Sequence, residues 1–165
     1  MKVLSLLQPW ASLIVTVHPY KGFTPRAIKE WETRSWAPKD PALLEQLKTE
    51  GFLVHASKAW KNDQERLMHK WPFTEYEYQL PAVLPTGAII GHVKLVEILT
   101  TDNWYQNRFN PEVETWHEEQ EFGDYSTGRY AWLLTKPTRF ENPISAKGSL
   151  GLWDWSEPVP ELKKF

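Results

Sequence analysis

Within the eight residues KEWETRSW, Lys29, Glu32, Arg34 and Trp36 bring together an ammonium, a carboxylate, a guanidinium and an indole. Such a set can neutralise phosphate, accept a hydrogen bond from an exocyclic amine and stack on a base. Successive side chains of an extended segment alternate between two sides. Lys29, Trp31, Thr33 and Ser35 then share one side, and Ile28, Glu30, Glu32 and Arg34 the other. Glu32 and Arg34 are thereby placed to pair, whereas Lys29 meets Glu32 only through a bend or bulge. A plain structural Glu32–Arg34 pair is the competing reading.

Two further clusters fall where a strand gives way to a helix. Gln8-Pro9-Trp10-Ala11 opens a helix, where free backbone N–H groups and the helix dipole favour an anion such as phosphate. The alternative there is a helix start with Trp10 buried. His55-Ala56-Ser57-Lys58 ends a strand, and its competing reading is ordinary hydrogen bonding. Arg129 and Tyr130 enter a later strand after Ser126-Thr127-Gly128, which is not a nucleophile elbow, and are placed at the rim of any cleft. The five histidines, at 18, 55, 69, 92 and 117, have no paired ligand spacing, so no metal and no cofactor is expected. The turn from Lys147 to Gly151 lacks phosphate-loop spacing and reads as a hairpin.

Elements that would carry these residues can be read from periodicity and punctuation. Lys2 to Leu7 is a short apolar strand, and Pro9 opens a helix to about Val17. His18 to Arg26 is a loop, Ile28 to Trp36 an extended segment, and Asp40-Pro41 caps a helix that Gly51 ends. Phe52 to Ala56 is a strand, Ala59 to Lys70 a helix, and Trp71 to Pro85 a long ordered loop. Gly87 to Leu99 is the clearest strand, with Val96 and Ile98 out of phase and pointing to a bulge. Asn103 to Glu121 reads as helical in part, Arg129 to Phe140 as a second long strand and Gly151 to Trp155 as a short closing one. Strands and short helices without strict alternation predict an α+β domain with a small mixed or antiparallel β-barrel.

The 165 residues suit one domain, able to bury roughly 70% of the surface its unfolded form exposes. Nineteen basic against 21 acidic side chains give a net charge of -2, so any nucleic-acid site must be local. Ten tryptophans are the unusual number; most serve a core, and the rest are available as a stacking platform. No apolar run is long enough to span a membrane, and no processing site follows the first apolar stretch. With no cysteine in the chain, a reducing, cytoplasmic setting is expected.

Taken in order, LSLLQPWASLIV, IKEWETRSW, LVHASK, GAIIGHV, GRYAWLL and PISAKGSLGLWDW resemble the ASCH family, named for activating signal cointegrator 1 homology and part of the PUA-like superfamily. The resemblance covers nearly the whole chain. Its most specific parts are Gln-Pro-Trp-Ala and the pattern Gly-x-Lys-x-x-Glu-x-Arg, filled by Lys29, Glu32 and Arg34, with Ala27 at the glycine position and an insertion at His18 to Arg26 before it. It implies a PUA-like barrel flanked by short helices, with a cleft for RNA, single-stranded DNA or a nucleotide. Lys29 and Arg34 would hold phosphate, Glu32 a base edge, and Trp10 or Trp36 a base face. It also implies an alternative, a ribonuclease or a hydrolase of N4-acylated cytidine, with Lys29 and Glu32 catalytic. In the amidohydrolase group a threonine stands where this chain has Glu32. A protein-interaction module is the third reading, marked by an exposed aromatic patch away from the cleft.

Overall fold

The computed structural model describes residues 1–19, 25–60, 62–107 and 116–160. In chain order these form β1 (Lys2–Leu6), α1 (Trp10–Val15), β2 (Trp31–Arg34), α2 (Pro41–Thr49), β3 (Phe52–Ala56) and α3 (Asn62–Met68). A 3-10 turn at Phe73–Tyr76 follows, then β4 (Ala88–Thr100), α4 (Thr101–Asn107), α5 (Trp116–Phe122), β5 (Tyr130–Ser145) and β6 (Leu152–Asp154). The strands make one sheet in the order β2-β5-β4-β3-β1-β6. β1 runs parallel to β3, and the remaining neighbours are antiparallel. The fold is therefore α+β, a mixed sheet curled into a half-barrel with β2 and β6 at its edges.

Curling comes from the long central pair. Between Leu95↔Leu134 and Glu97↔Leu133, β4 advances two residues against one on β5, which makes Val96 the extra residue where the apolar phase breaks. Between His92↔Thr138 and Lys94↔Thr135 the surplus lies on β5, and Lys136 takes it up at φ 51. A third shift separates Ile89↔Ile144 from Gly91↔Arg139. Each bulge bends the strand and adds local twist. The bulges also explain why β5 runs five residues beyond the Phe140 expected from the sequence. Pro137 and Pro143, which cannot donate to a regular ladder, sit at its irregular steps.

Helix α2 begins as its sequence dictates. The Asp40 carboxylate accepts from the Ala42 N–H at 3.0 Å, and Pro41 stands in the first turn. Leu47 is fully buried against a core of Leu4, Phe52, Val54, Val93 and Trp132 on the sheet's inner face. Helix α1 is short and buried nearly all round. Ile14 and Val15 join that core, while Leu13 faces a second cluster of Ile28, Phe73, Tyr76 and Phe122. Each such side chain contributes about 1.5–3 kcal/mol through burial. Packed on both sides, α1 fixes the sheet's position relative to the segment around Ile28.

Three expectations change. The extended segment Ile28 to Trp36 is a strand only over Trp31–Arg34; 28 and 29 form a bend. Lys147 to Gly151 is no hairpin, because β5 and β6 are not neighbours and β6 pairs with β1. The helix read at Ala59 to Lys70 is confined to α3, with residue 61 outside the described residues. Of the acidic stretch, α4 and α5 are helical, and 108–115 lie outside the described residues, as do 20–24 of the His18 to Arg26 loop. That loop is pinched at its base, where the His18 N–H donates to Arg26 O at 2.8 Å and Val17 bridges Ala27.

Candidate functional site

The bend before β2 is built from several directions. The Ile28 N–H donates to Thr16 O at 3.0 Å, the Lys29 N–H to Leu13 O at 3.3 Å, and the Leu134 N–H to Glu30 O at 2.8 Å. From α5, the buried Glu119 carboxylate accepts the Glu30 N–H at 2.5 Å and the Trp31 N–H at 3.3 Å. The bend turns Lys29 out of alternation. Its ammonium donates to Trp31 O and lies 2.9 Å from Glu32 Oε2. Lys29 and Glu32 are 1% and 7% exposed, so the pair is buried. Arg34 Nη1 approaches the other oxygen, Glu32 Oε1, at 3.5 Å, and the guanidinium carbon Cζ lies over the Trp36 ring at 5.6 Å. Glu32 thus stands between a buried cation and a half-exposed one.

In front of Glu32 opens a cavity of about 440 Å³, walled by Trp10, Glu32, Thr33, Arg34, Asp124 and Arg129, with Phe122 beside them. Trp10 is held edge-on to Phe73 at 6.4 Å between centroids. Thr33 ties this wall to the loop after α5: its hydroxyl accepts the Asp124 N–H at 3.1 Å, and its carbonyl accepts Arg129 Nη2 at 3.4 Å. Arg129 Nε donates to Asp124 O at 3.0 Å. The Ser126 hydroxyl and N–H, and then Arg129, hold the Asp124 carboxyl below its ordinary range. Burial pushes the Tyr125 hydroxyl up, with the charges of Glu119 and Glu32 adding to it.

A second cavity, of about 820 Å³, adjoins the first through Arg34, Leu6 and Leu7. His55, Ser57, Lys58, Lys147 and Ser149 are among its walls. His55 is buried, with Nδ1 3.1 Å from Ser5 Oγ and Nε2 3.1 Å from Ala146 O; burial lowers its pKa, and the Ala146 bond opposes that only in part.

The motif residues therefore do not all converge. Trp10, Glu32, Thr33, Arg34 and Arg129 share the first cavity, and Arg34, His55, Ser57 and Lys58 the second. Lys29 lies behind the wall, its ammonium engaged by Trp31 O and Glu32, so of the two motif cations only Arg34 faces the cavity. Trp36 packs edge-on against Trp132 at 5.2 Å and lines neither cavity. Gln8 is fully buried and structural: its side chain donates to Pro85 O at 2.7 Å and accepts the Ser12 N–H at 3.1 Å. Pro9 caps α1, and the Ala11 N–H bonds Leu7 O, so the amides of Ala11 and Ser12 are not open to an anion. Tyr130 faces a separate hollow beside Lys39 and Ile98.

Asp124, Phe122 and Lys147 escaped the sequence reading. Phe122 ends α5 and Asp124 follows it, neither within a motif; Lys147 stands in a turn without phosphate-loop spacing. A larger hollow, about 970 Å³ between Val15, Tyr78, Pro81 and Pro137, holds none of the motif residues. Among the described residues its one cation, Arg139, already donates to Gln79 O at 2.9 Å. Chemistry, not size, selects the smaller cavity. Among the described residues no helix is long and apolar enough to cross a membrane, and no three His, Asp or Glu side chains gather as a metal site.

Fold and site together define an α+β half-barrel with an aromatic, mixed-charge cleft at the β2 edge. No family model and no curated protein matches the chain. Among solved structures it is similar to a serine-to-alanine variant of the ASCH protein of Zymomonas mobilis, at 16% identity and a TM-score of 0.46, over 94% of this chain and 87% of that one. The chemistry of the cleft has to be read from its own residues.

Proposed function

We propose that the chain binds a nucleotide or a short single strand of RNA or DNA, with one base in the cavity in front of Glu32. The observation that supports this is the meeting of Trp10, Glu32 and Arg34 around one space of about 440 Å³. An indole offers a base its face, a carboxylate accepts from an exocyclic amine, and a guanidinium pairs with phosphate or a base edge. The buried Lys29 ammonium, 2.9 Å from Glu32 Oε2, holds that carboxylate in place as an acceptor. A cavity of this size takes one unstacked base, which favours single strands and mononucleotides over duplex. Titration of short RNA, single-stranded DNA and free nucleosides tests it. Binding that weakens in Trp10→Ala and Arg34→Ala is expected; binding to none of these ligands, or unchanged in both variants, contradicts it.

The buried Lys29–Glu32 pair favours a second reading, hydrolysis of a modified nucleoside or of RNA. Glu32 at the wall, with an ammonium behind it, is placed to accept a proton from water. Turnover of N4-acetylcytidine or labelled RNA that disappears in Glu32→Gln supports this reading; no turnover above that variant removes it.

A further inference from the structure

Building on the base site just described, we infer that the second cavity is a phosphate subsite. It takes the terminal phosphomonoester of a nucleotide whose base lies against Trp10 and Glu32. The two spaces are contiguous, with Arg34 reaching both. Their charges differ in kind. The first is lined by Glu32, Glu121 and Asp124 against Arg34 and Arg129, a balance that repels a phosphate. The second is lined by Arg34, Lys58 and Lys147, with no aspartate or glutamate among the described residues of its walls. Among the described residues neither Lys58 nor Lys147 is in an ion pair with a carboxylate, so neither ammonium is already neutralised.

The Lys58 stem and the loop that carries Lys147 are set by the backbone around them. A Cβ on Gly87, at φ 62, would stand 2.5 Å from Lys58 Cε and 2.6 Å from Cγ, so the lysine stem lies across bare backbone. A Cβ on Gly148 would stand 2.4 Å from His55 Cε1, so the loop carrying Lys147 and Ser149 closes onto the imidazole. His55 holds it there through Ala146 O. Hydroxyls of Ser57, Ser145 and Ser149 complete the lining. Three cations with hydroxyl donors match a phosphomonoester, which carries close to two charges and three acceptor oxygens. A phosphodiester, with one charge, uses them less well.

The four ribonucleosides, their 5′- and 3′-monophosphates and a dinucleoside monophosphate are titrated into the wild-type chain, into Lys58→Ala/Lys147→Ala and into a control, Lys48→Ala. One monophosphate series is expected to bind roughly ten-fold or more tighter than its nucleoside, by charge-assisted bonds. That advantage shrinks to about two-fold in the double variant and persists in the control. Equal affinity of nucleoside and monophosphate overturns the subsite and leaves the base site standing. A dinucleoside monophosphate that binds as well as the monophosphate overturns the preference for a terminal group. No binding of nucleoside or monophosphate removes the base site itself.

Discussion

Lys29 Nζ lies 2.9 Å from Glu32 Oε2 with both side chains buried, although three positions apart in an extended segment would place them on opposite sides. The bend at 28 and 29 brings them together, and α1, β5 and α5 hold that bend. Removing Glu32 leaves the buried Lys29 ammonium without its carboxylate, whereas removing Lys29 leaves Glu32 facing Arg34 at 3.5 Å. Glu32→Leu is therefore expected to cost about 3–5 kcal/mol of stability, and Lys29→Met less. The double variant is expected to lose much less than the sum. Urea unfolding of the three variants measures this.

Glu119 lines neither cavity yet accepts the N–H groups of Glu30 and Trp31. Glu119→Ala strands those buried donors, at about 1–3 kcal/mol. Because the bend sets Glu32, nucleotide affinity is expected to fall with it. Glu119→Gln, which keeps one acceptor oxygen, is expected to fall between wild type and Glu119→Ala in both readouts. Parallel denaturation and titration of the two variants tests the coupling.

The two motif tryptophans have different duties. Trp10 lines the cavity, so Trp10→Ala is expected to reduce binding by about 1–3 kcal/mol, the usual range for one stacked base. Trp36 packs on Trp132 outside the cavities, so Trp36→Ala is expected to lower the unfolding midpoint with little change in affinity. Calorimetric titration beside thermal unfolding separates the effects.

His55 and His92 are buried, and burial lowers both from an ordinary value of 6.5; bonds to Ala146 O and Glu50 O oppose the shift, while Lys94 adds to it at His92. Above 6.5 both states carry neutral rings, and these two residues make no pH dependence. Below it the unfolded chain takes up protons that the folded chain refuses, so their contribution declines as pH falls toward the folded values. Unfolding free energy measured from pH 7.5 to 5 is expected to decline below about 6.5, and less steeply in His92→Gln.

Local punctuation made much of the fold legible. Asp40-Pro41 and Gly51 bound α2, and the lost phase at Val96 marks the bulge that curls β4. What remained hidden depends on distant partners. The bend at Lys29 is held by α1 and by Glu119, 90 positions away along the chain. Nothing within KEWETRSW shows it. Gln8 and Trp10 are near neighbours in sequence, but one is spent on Pro85 and Ser12 and the other opens to the cavity. The join of the two cavities at Arg34 depends on β1 lying beside β3, a pairing that one-strand patterns do not encode.

The most direct measurement of the central claim is a crystal structure of the chain saturated with a ribonucleoside monophosphate. The account predicts the base against Trp10 with an exocyclic amine on Glu32. A nucleotide seated instead in the hollow beside Tyr78 and Pro81, or no nucleotide in the cleft at saturation, would contradict it.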